Sequence, residues 1–210
     1  MRNTGAIDTH SLHLRIIGIG SSPRKGGNSD ILMEHILAGA AERGVEGEGI
    51  RLRDYAFEPC IGCEKCRKGG ICTGLDDGMQ SLYPKLLASQ GLILVSPTHN
   101  YNVTAWMKAF IDRLYCFYIF DNNRPRGWSS RLAGQGRKAV IATICEQETK
   151  KDMGFTLEAM SLPLEALGYE IIGEMGVLNL FDRGSIRNEP NTLAEASRLG
   201  ARLADALRQS

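Results

Sequence analysis

The sequence predicts a doubly wound α/β fold, in which a five-stranded parallel sheet carries helices on both faces. Two observations support this prediction. Short apolar runs alternate along the chain with stretches whose apolar residues recur at helical spacing. Each helical stretch is also long enough to connect two parallel strands, and such crossovers are almost always right-handed.

The predicted strands are mostly continuous apolar runs, as expected for strands that are covered on both faces of a sheet. The first strand ends in Gly20, and the second is the weakest because arginines interrupt it. In chain order the predicted strands cover residues 12–20, 49–53, 91–95, 138–144 and 169–178.

Five helices are predicted between and after these strands. The first has Ile31, Leu32 and Ile36 at helical spacing and stops at Gly44, because glycine favours the position just beyond a helix. The last is amphipathic. The predicted helices cover residues 29–43, 76–89, 103–120, 153–167 and 191–207.

Five such strands fit the flavodoxin-like order 2-1-3-4-5. In that order a ligand binds beyond the carboxyl ends of strands 1 and 3, where the winding of the sheet reverses. The two loops that follow these strands, residues 20–29 and 96–102, have the strongest binding signatures in the chain. The sequence therefore predicts a ligand site at this edge of the sheet.

Length and charge limit the classes of function. The chain has 210 residues, with 25 Lys and Arg against 24 Asp and Glu. We expect an N-terminal arm at 1–11 and a single domain at 12–210 with a cysteine-rich loop at 57–76. The balanced charge gives no reason to expect a nucleic acid or an anionic membrane as partner. No apolar run reaches the roughly 20 residues of a membrane span, and the polar start lacks a signal-peptide core, so a cytoplasmic location is expected.

Four cysteines share the spacing C-x2-C-x2-C-x5-C, and they are Cys60, Cys63, Cys66 and Cys72. Two residues between cysteines allow a tight turn to direct both thiols to one point, and four thiolates are the usual ligands of an iron–sulfur cluster. In a reducing compartment a disulfide framework is not expected. A four-iron (4Fe-4S) cluster is the favoured interpretation, and cluster-free thiols and zinc are the alternatives. Cys116 and Cys145 are expected to be small buried side chains.

The loop at 20–29 has the composition of an anion site and leads directly into a helix. Glycine and hydroxyl residues let backbone amides surround an anion, and a helix N-terminus adds favourable partial charge. The loop has neither a Walker A motif nor the G-x-G-x-x-G fingerprint. A plain strand-to-helix turn capped by Asn28 or Ser29 is the alternative. The candidate phosphate ligands are Ser21, Ser22, Arg24, Asn28 and Ser29.

The loop at 96–102 is polar and contains His99 and Tyr101. At the end of a central strand, such a loop offers amides, side-chain hydrogen bonds and a stacking face to a flat heterocycle. Beside the loop at 20–29, it predicts a site for a mononucleotide.

A set of short motifs is spread over residues 14–180. They are Ser21-Ser22-Pro23-Arg24, Asn28-Ser29, the four cysteines, Asp76-Asp77, Ser96-Pro97-Thr98, and Lys108 together with Asp112-Arg113. Jointly these motifs resemble the NADPH-dependent FMN reductase family, and within it the iron–sulfur flavoprotein branch.

The resemblance implies a flavodoxin-like fold with tightly bound FMN, a 4Fe-4S cluster on the four cysteines, and homodimers or homotetramers. By position, the candidate phosphate ligands would surround the FMN phosphate. The residues implied to line the flavin ring are Pro97, Thr98, His99, Asn100, Tyr101 and Asn102. The chain departs from the family at His99, where tyrosine is frequent, and after the fourth strand, where Glu146 and Gln147 replace a glycine-rich turn.

The expected function is an FMN-dependent oxidoreductase that passes electrons from NAD(P)H or ferredoxin to a quinone, oxygen, peroxide or free flavin. The alternatives are a simple NAD(P)H-dependent FMN or quinone reductase without a cluster, and a non-enzymatic FMN carrier or sensor. No catalytic residue is assigned, because flavin itself supplies the redox chemistry.

Two features have no assigned role in this function. Residues 121–136 contain several arginines and are long for a connection, so a lid, an oligomer contact and a solvated loop all remain open. Asp112 and Arg113 are neighbours on a predicted helix and do not face each other, so each is expected to pair elsewhere.

Overall fold

The computed structural model describes residues 14–209, and the predicted arm at 1–11 lies outside them. Within that range the strands are β1 (Arg15–Gly20), β2 (Glu46–Arg51), β3 (Gly91–Pro97), β4 (Tyr118–Phe120), β5 (Trp128–Ser130), β6 (Lys138–Ile144) and β7 (Glu170–Val177). Five of them form one sheet in the order β2-β1-β3-β6-β7, and every neighbouring pair is parallel. The predicted flavodoxin-like order 2-1-3-4-5 is therefore confirmed, since β6 and β7 are the fourth and fifth strands of this sheet.

Helices cover both faces of the sheet. They are α1 (Asn28–Glu42), α2 (Cys66–Gly69), α3 (Met79–Ala88), α4 (Ala105–Arg113), α5 (Glu158–Leu167) and α6 (Pro190–Arg208). Side chains alternate along each strand, so Ile16 and Ile17 of β1 enter opposite apolar clusters. One cluster includes α1 and α6, and the other includes α3, α4 and α5.

Two glycines allow α1 and α6 to cross in close contact. A Cβ atom on Gly39 would lie 1.9 Å from the carbonyl oxygen of Ser197, and one on Gly200 would lie 1.7 Å from that of Ile36. No side chain fits at either position. This contact fixes α1, and the N-terminus of α1 lies at the predicted ligand site.

The predicted helix at 103–120 is wrong in its second half. α4 ends at Arg113, a 3₁₀ turn covers Leu114–Phe117, and Tyr118–Phe120 then forms β4, which pairs antiparallel with β5. The run Tyr-Ile-Phe consists of aromatic and β-branched residues that favour a strand, and apolar residues at short spacing satisfy both patterns. The segment predicted as a connection at 121–136 therefore includes one strand of a hairpin, β4–β5.

Other boundaries differ by a few residues. The second strand is Glu46–Arg51 instead of 49–53, and Leu52–Asp54 forms a 3₁₀ turn. The helix predicted at 153–167 begins only at Glu158, after a 3₁₀ turn at Lys150–Met153. Across residues 14–209, no helix combines the length and apolar character needed to cross a membrane.

Candidate functional site

A cavity of about 140 Å³ lies at the carboxyl ends of β1, β3 and β6, where the sequence predicts a ligand. We call it the sheet-edge cavity. It is bordered by the phosphate loop (residues 20–29), the ring loop (96–102) and the β7–α6 segment (178–189). Of the predicted cofactor residues, those that line it are Ser22, Arg24, Asn28, Ser29, Pro97, Thr98 and His99. The structure thus brings both predicted loops to one cavity.

The phosphate loop has hydrogen-bond donors without protein partners. Ser21 is fully buried, and its Oγ has no hydrogen-bond partner among residues 14–209. The N-cap of α1 is Gly27, which supplies no side-chain cap. Because the first amides of a helix lack partners within the helix, those of Asn28 and Ser29 are available to an anion. The amides of Asn28 and Ser29 fit a phosphate group at this end of the cavity, whereas Ser21 lies behind the lining residues and does not itself line the cavity.

A buried ion pair supports the phosphate loop from below. Arg53 donates to both carboxylate oxygens of Asp30, at 2.9 and 2.7 Å, and to the carbonyl of Ser22 at 3.0 Å. The backbone amide of Gly26 donates to Asp30 at 2.8 Å. The hydrogen bonds to Asp30 are the largest cause of the raised pKa of Arg53. Sequence reasoning missed this pair, since nothing in the local pattern links position 53 to the loop.

Two of the predicted phosphate ligands contact the β7–α6 segment. The Arg24 guanidinium lies 4.3 Å from the ring centroid of Phe181 and donates to the Phe181 carbonyl at 2.7 Å. Asn28 donates to the carbonyl of Asp182 at 3.0 Å and accepts from the amide of Ile186 at 3.2 Å. Arg24 and Asn28 therefore line the cavity and also hold the β7–α6 segment over it.

The ring loop turns tightly. His99 and Asn102 exchange backbone hydrogen bonds at 2.8 and 3.1 Å, and the two residues between them, Asn100 and Tyr101, both have positive φ angles, 48° and 62°. A positive φ is unusual for tyrosine. Pro97, Thr98 and His99 line the cavity, whereas Asn100, Tyr101 and Asn102 at the tip do not. All three tip residues are exposed, and so is His99. The structure thus separates the six predicted ring-lining residues into two groups.

A chain of hydroxyl groups fixes the base of the ring loop. Thr98 Oγ1 lies 3.1 Å from Thr143 Oγ1, and Thr156 Oγ1 donates to Thr98 Oγ1 at 3.2 Å. Thr104, the N-cap of α4, donates through its hydroxyl to the carbonyl of Ser21 at 3.2 Å. The last contact ties the start of α4, just after the ring loop, to the phosphate loop.

Several lining residues were missed by sequence reasoning. Phe181 and Arg183 belong to the β7–α6 segment, and Glu146, which was only a candidate, also lines the cavity. The position of these residues in the chain could have identified them. The loop after the fifth strand lies at the same edge of a parallel sheet as the phosphate and ring loops. A phenylalanine and an arginine in such a loop, Phe181-Asp182-Arg183, could have been selected on that ground.

The cysteine-rich loop forms a second cavity, of about 220 Å³, which we call the cysteine cavity. It is lined by all four clustered cysteines, namely Cys60, Cys63, Cys66 and Cys72, and also by Arg113 and Tyr115. All four have free thiols. Two of them, Cys66 and Cys72, pack against the apolar core, whereas Cys60 and Cys63 are exposed.

The thiols influence one another electrostatically. Burial is the largest cause of the raised pKa of Cys66. The neighbouring thiols of Cys72, Cys60 and Cys63 raise this pKa further. Burial also raises the pKa of Cys72, but the amides of Gly74 and Leu75 and the Arg113 guanidinium outweigh it, so that pKa lies below its usual value.

No three Cys, His, Asp or Glu side chains within residues 14–209 are arranged to hold a single metal ion. A structural zinc site needs four ligands about 2.0–2.3 Å from one centre. The described residues therefore show no preformed metal site, either for zinc or for a cluster.

The remaining cysteines agree with the sequence prediction. Cys116 and Cys145 are both buried. Burial is the main cause that raises the pKa of Cys116 to about 12, so this thiol is unreactive at neutral pH.

The β4–β5 hairpin packs against the cysteine-rich loop. Arg126 donates to Glu64 at 2.7 Å, and Arg67 donates to the carbonyl of Asp121 at 3.4 Å. Tyr115 stacks on Phe120 with ring centroids 5.1 Å apart. Part of the 121–136 segment thus packs against the cysteine-rich loop, while its role as a lid or an oligomer contact stays a prediction.

The fold is flavodoxin-like, and the sheet-edge cavity lies where proteins of this fold class bind ligands. Residues 14–150 match the family model described as NADPH-dependent FMN reductase. The chain belongs to this family, and it is an FMN oxidoreductase. A flavodoxin from the domain Archaea has the same fold, with a TM-score of 0.57 and 14% identity over 93% of this chain and 99% of that one.

Two curated relatives carry the name iron–sulfur flavoprotein. One, from Methanocaldococcus jannaschii, is 39% identical over 134 residues, which is 64% of this chain and 69% of the relative. Another, from Archaeoglobus fulgidus, is 29% identical over 193 residues, which is 92% of this chain and 80% of the relative. The resemblance to the iron–sulfur flavoprotein branch is thus confirmed at the level of sequence similarity.

Proposed function

We propose that this protein is an iron–sulfur flavoprotein that binds FMN in the sheet-edge cavity and a 4Fe-4S cluster in the cysteine cavity. Electrons would pass between NAD(P)H or ferredoxin and a small acceptor such as a quinone, oxygen, peroxide or free flavin. The observation that carries the proposal is that all four clustered cysteines line one cavity in a chain of the FMN reductase family.

The residues of the phosphate loop fit the FMN phosphate. Ser21 offers a buried hydroxyl without a partner, Ser22 and Ser29 line the cavity, and Arg24 adds positive charge. Asn28 would contribute its backbone N–H at the start of α1. Its side-chain amide is already hydrogen-bonded to the β7–α6 segment. In the ring loop, Pro97, Thr98 and His99 face the cavity, and we propose that they contact the flavin ring directly.

Three further ring-loop residues have a different proposed role. Asn100, Tyr101 and Asn102 are exposed, so we propose that they cover the outer edge of bound FMN or meet its redox partner. Bound FMN supplies the conversion between hydride transfer and single-electron transfer, while the chain binds and orients it.

The cysteine cavity fits a cluster by its donor set. Four free thiols line it, and the lowering of the pKa of Cys72 below its usual value favours the thiolate form that iron binds. Cys60, Cys63, Cys66 and Cys72 would hold the four irons, and the bound cluster would supply one-electron transfer.

A cluster-free NAD(P)H-dependent FMN or quinone reductase is the second candidate. It is favoured by one observation, that no three potential ligands within residues 14–209 are arranged around a single ion. In such a reductase the four thiols would have a redox or structural role. The reductase reaction would take place in the sheet-edge cavity alone.

The assembly is also part of the proposal. Residues implied to contact FMN stand exposed at the tip of the ring loop, and Phe155 beside them is 70% exposed. We propose a homodimer or homotetramer that covers this surface, which would complete the flavin site at a subunit interface. We propose a cytoplasmic location, which suits free thiols.

The test is anaerobic purification followed by an absorption spectrum and by measurement of iron, acid-labile sulfide and FMN per chain. About four irons, four sulfides and one FMN support the proposal. FMN without iron or sulfide supports the cluster-free reductase. Cys72→Ser should lose iron, whereas Cys145→Ser, a buried thiol outside the cysteine cavity, should keep it.

A further inference from the structure

Arg113 combines deep burial with a position on the wall of the cysteine cavity. Its side chain is 1% exposed, although it carries a full positive charge. It is the last residue of α4, and the sequence places it outside every predicted site. A buried charge needs compensation, so its partners indicate what holds it there.

The guanidinium group of Arg113 is held by three kinds of acceptor. It donates to the two carboxylate oxygens of Asp77 at 2.6 and 3.1 Å and to the carbonyl of Glu58 at 2.8 Å. Its Nη2 lies 3.6 Å from Cys72 Sγ. Asp77 in turn accepts from the amides of Glu58 and Met79, each at 3.1 Å. These bonds fix the orientation of the guanidinium toward the thiol.

The remaining charges around the cysteine cavity are arranged differently. Glu64 lines the cavity but pairs with Arg67 and Arg126 at the surface. Arg113 is therefore the buried cation on this wall, and Asp77 is the carboxylate that balances it. Neither residue is used by the FMN part of the proposed function.

We propose that Arg113 raises the reduction potential of the cluster that the four cysteines hold, and that Asp77 moderates this effect. The inference rests on the proposed function, because it requires a cluster. In the titration described below, dithionite would supply one electron to the bound cluster, and no bond would be made or broken. A fixed positive charge and an N–H donor at Cys72 stabilise the added negative charge. Arg113 acts through the ligand, so it is a positioning residue and not a catalytic one.

The test is an anaerobic redox titration of the holoprotein with dithionite, in which electron paramagnetic resonance reports the reduced cluster. Arg113→Gln should shift the reduction equilibrium at least tenfold toward the oxidised state, which is about 59 mV for one electron. Arg113→Lys, which retains the charge, should shift it by less than half of that. The FMN potential in the same sample should stay unchanged.

Asp77→Asn is an independent test, in which the cluster potential should change in the opposite direction. It removes the balancing negative charge and leaves Arg113 in place, so the cluster potential should rise. Lys108→Gln is the matched control, because Lys108 is an exposed cation on the same helix with its own partner, Asp112. It should leave both potentials unchanged.

The outcomes separate this inference from the proposed function. Wild-type protein without iron contradicts the proposed function itself. Iron-loaded wild type with an unshifted potential in Arg113→Gln, or with no rise in Asp77→Asn, contradicts only the role of Arg113. Loss of the cluster from both Arg113→Gln and Asp77→Asn also contradicts the role of Arg113 in setting the potential. That result would mean that Arg113 and Asp77 are needed for cluster binding.

Discussion

Arg53 donates two hydrogen bonds to Asp30, one to each carboxylate oxygen, beneath the phosphate loop. A third bond from Arg53 reaches the carbonyl of Ser22, and the amide of Gly26 donates to Asp30. The pair therefore holds the loop on both sides of Arg24. The shape of the proposed phosphate site depends on an arginine from the turn after β2, which lies outside the loop itself.

Asp30→Asn should weaken FMN binding at least tenfold, equivalent to about 1.4 kcal/mol. The substitution leaves Arg53 buried without its anion and releases one side of the phosphate loop, so the free energy of unfolding should fall by about 3–5 kcal/mol. Fluorescence titration with FMN and denaturant unfolding measure the two effects. Glu34→Gln is the control, since it removes only the exposed partner of Arg51. Unchanged FMN affinity in Asp30→Asn would contradict the supporting role.

Ser21→Ala should separate stability from binding. The Ser21 hydroxyl is buried without a partner, and such a group costs about 1–3 kcal/mol, so FMN-free protein should be as stable as wild type or more stable. FMN affinity should fall about tenfold, because a hydrogen bond to the phosphate is lost. Ser89→Ala should instead lower stability and leave FMN affinity unchanged. The buried Ser89 hydroxyl donates to the carbonyl of Leu86, far from the cavity. A destabilised FMN-free Ser21→Ala protein would count against this assignment.

Gly154→Ala should distort the ring loop. A Cβ there would lie 2.2 Å from the carbonyl oxygen of Tyr101, and Gly154 has a φ of +55°. We expect weaker FMN binding and a changed flavin absorption spectrum. Gly134→Ala is the matched control, because its φ is +72° but its surroundings are open. It should lose about 1 kcal/mol from backbone strain while its flavin spectrum stays unchanged. If both variants bind FMN alike, the contact at Tyr101 does not shape the site.

Gly200→Ala should destabilise the protein by about 1–3 kcal/mol, because the added methyl group meets the backbone of α1 and separates the two helices. Thermal unfolding of FMN-loaded protein measures this loss. Gly69→Ala, which adds a methyl group with no atom within 4 Å, should unfold at the wild-type temperature. An equally stable Gly200→Ala variant would show that the helices can move apart at little cost.

Asp77 should make stability depend on pH in the acid range. Burial raises its pKa, but the bonds from Arg113 and from the amides of Glu58 and Met79 outweigh burial, so the folded pKa lies below its usual value. Because the folded pKa is depressed, the stabilisation is present above the unfolded pKa and is lost as pH falls through the folded value. Urea unfolding of iron-free protein between pH 3 and 5 should show this loss. Asp77→Asn should reduce the slope in that window.

Much of the fold could be predicted because its signals are local. Continuous apolar runs identified four of the five sheet strands closely, and the strand–helix alternation gave their order. The phosphate loop and the cysteine spacing are likewise contained in short segments. The Tyr118–Phe120 strand was missed because apolar residues at short spacing fit both a helix and a strand.

The missing parts of the site come from distant segments. Arg53 meets Asp30 across 23 residues, and Phe181 meets Arg24 across 157. Such pairs depend on the packing of the complete sheet, and no spacing rule encodes them. Asp112 and Arg113 were correctly expected to pair elsewhere, but their partners, Lys108 and Asp77, required the structure.

The cysteine cavity has one side on the core and one side toward solvent, and for the proposed cluster this asymmetry has a consequence for assembly and repair. Cys66 and Cys72 are anchored, so they would remain in place when a cluster is lost to an oxidant. Cys60 and Cys63, on the exposed turn, would be the last ligands to engage and the first to release. In the proposed holoprotein, iron would therefore enter and leave on the side of Cys60 and Cys63.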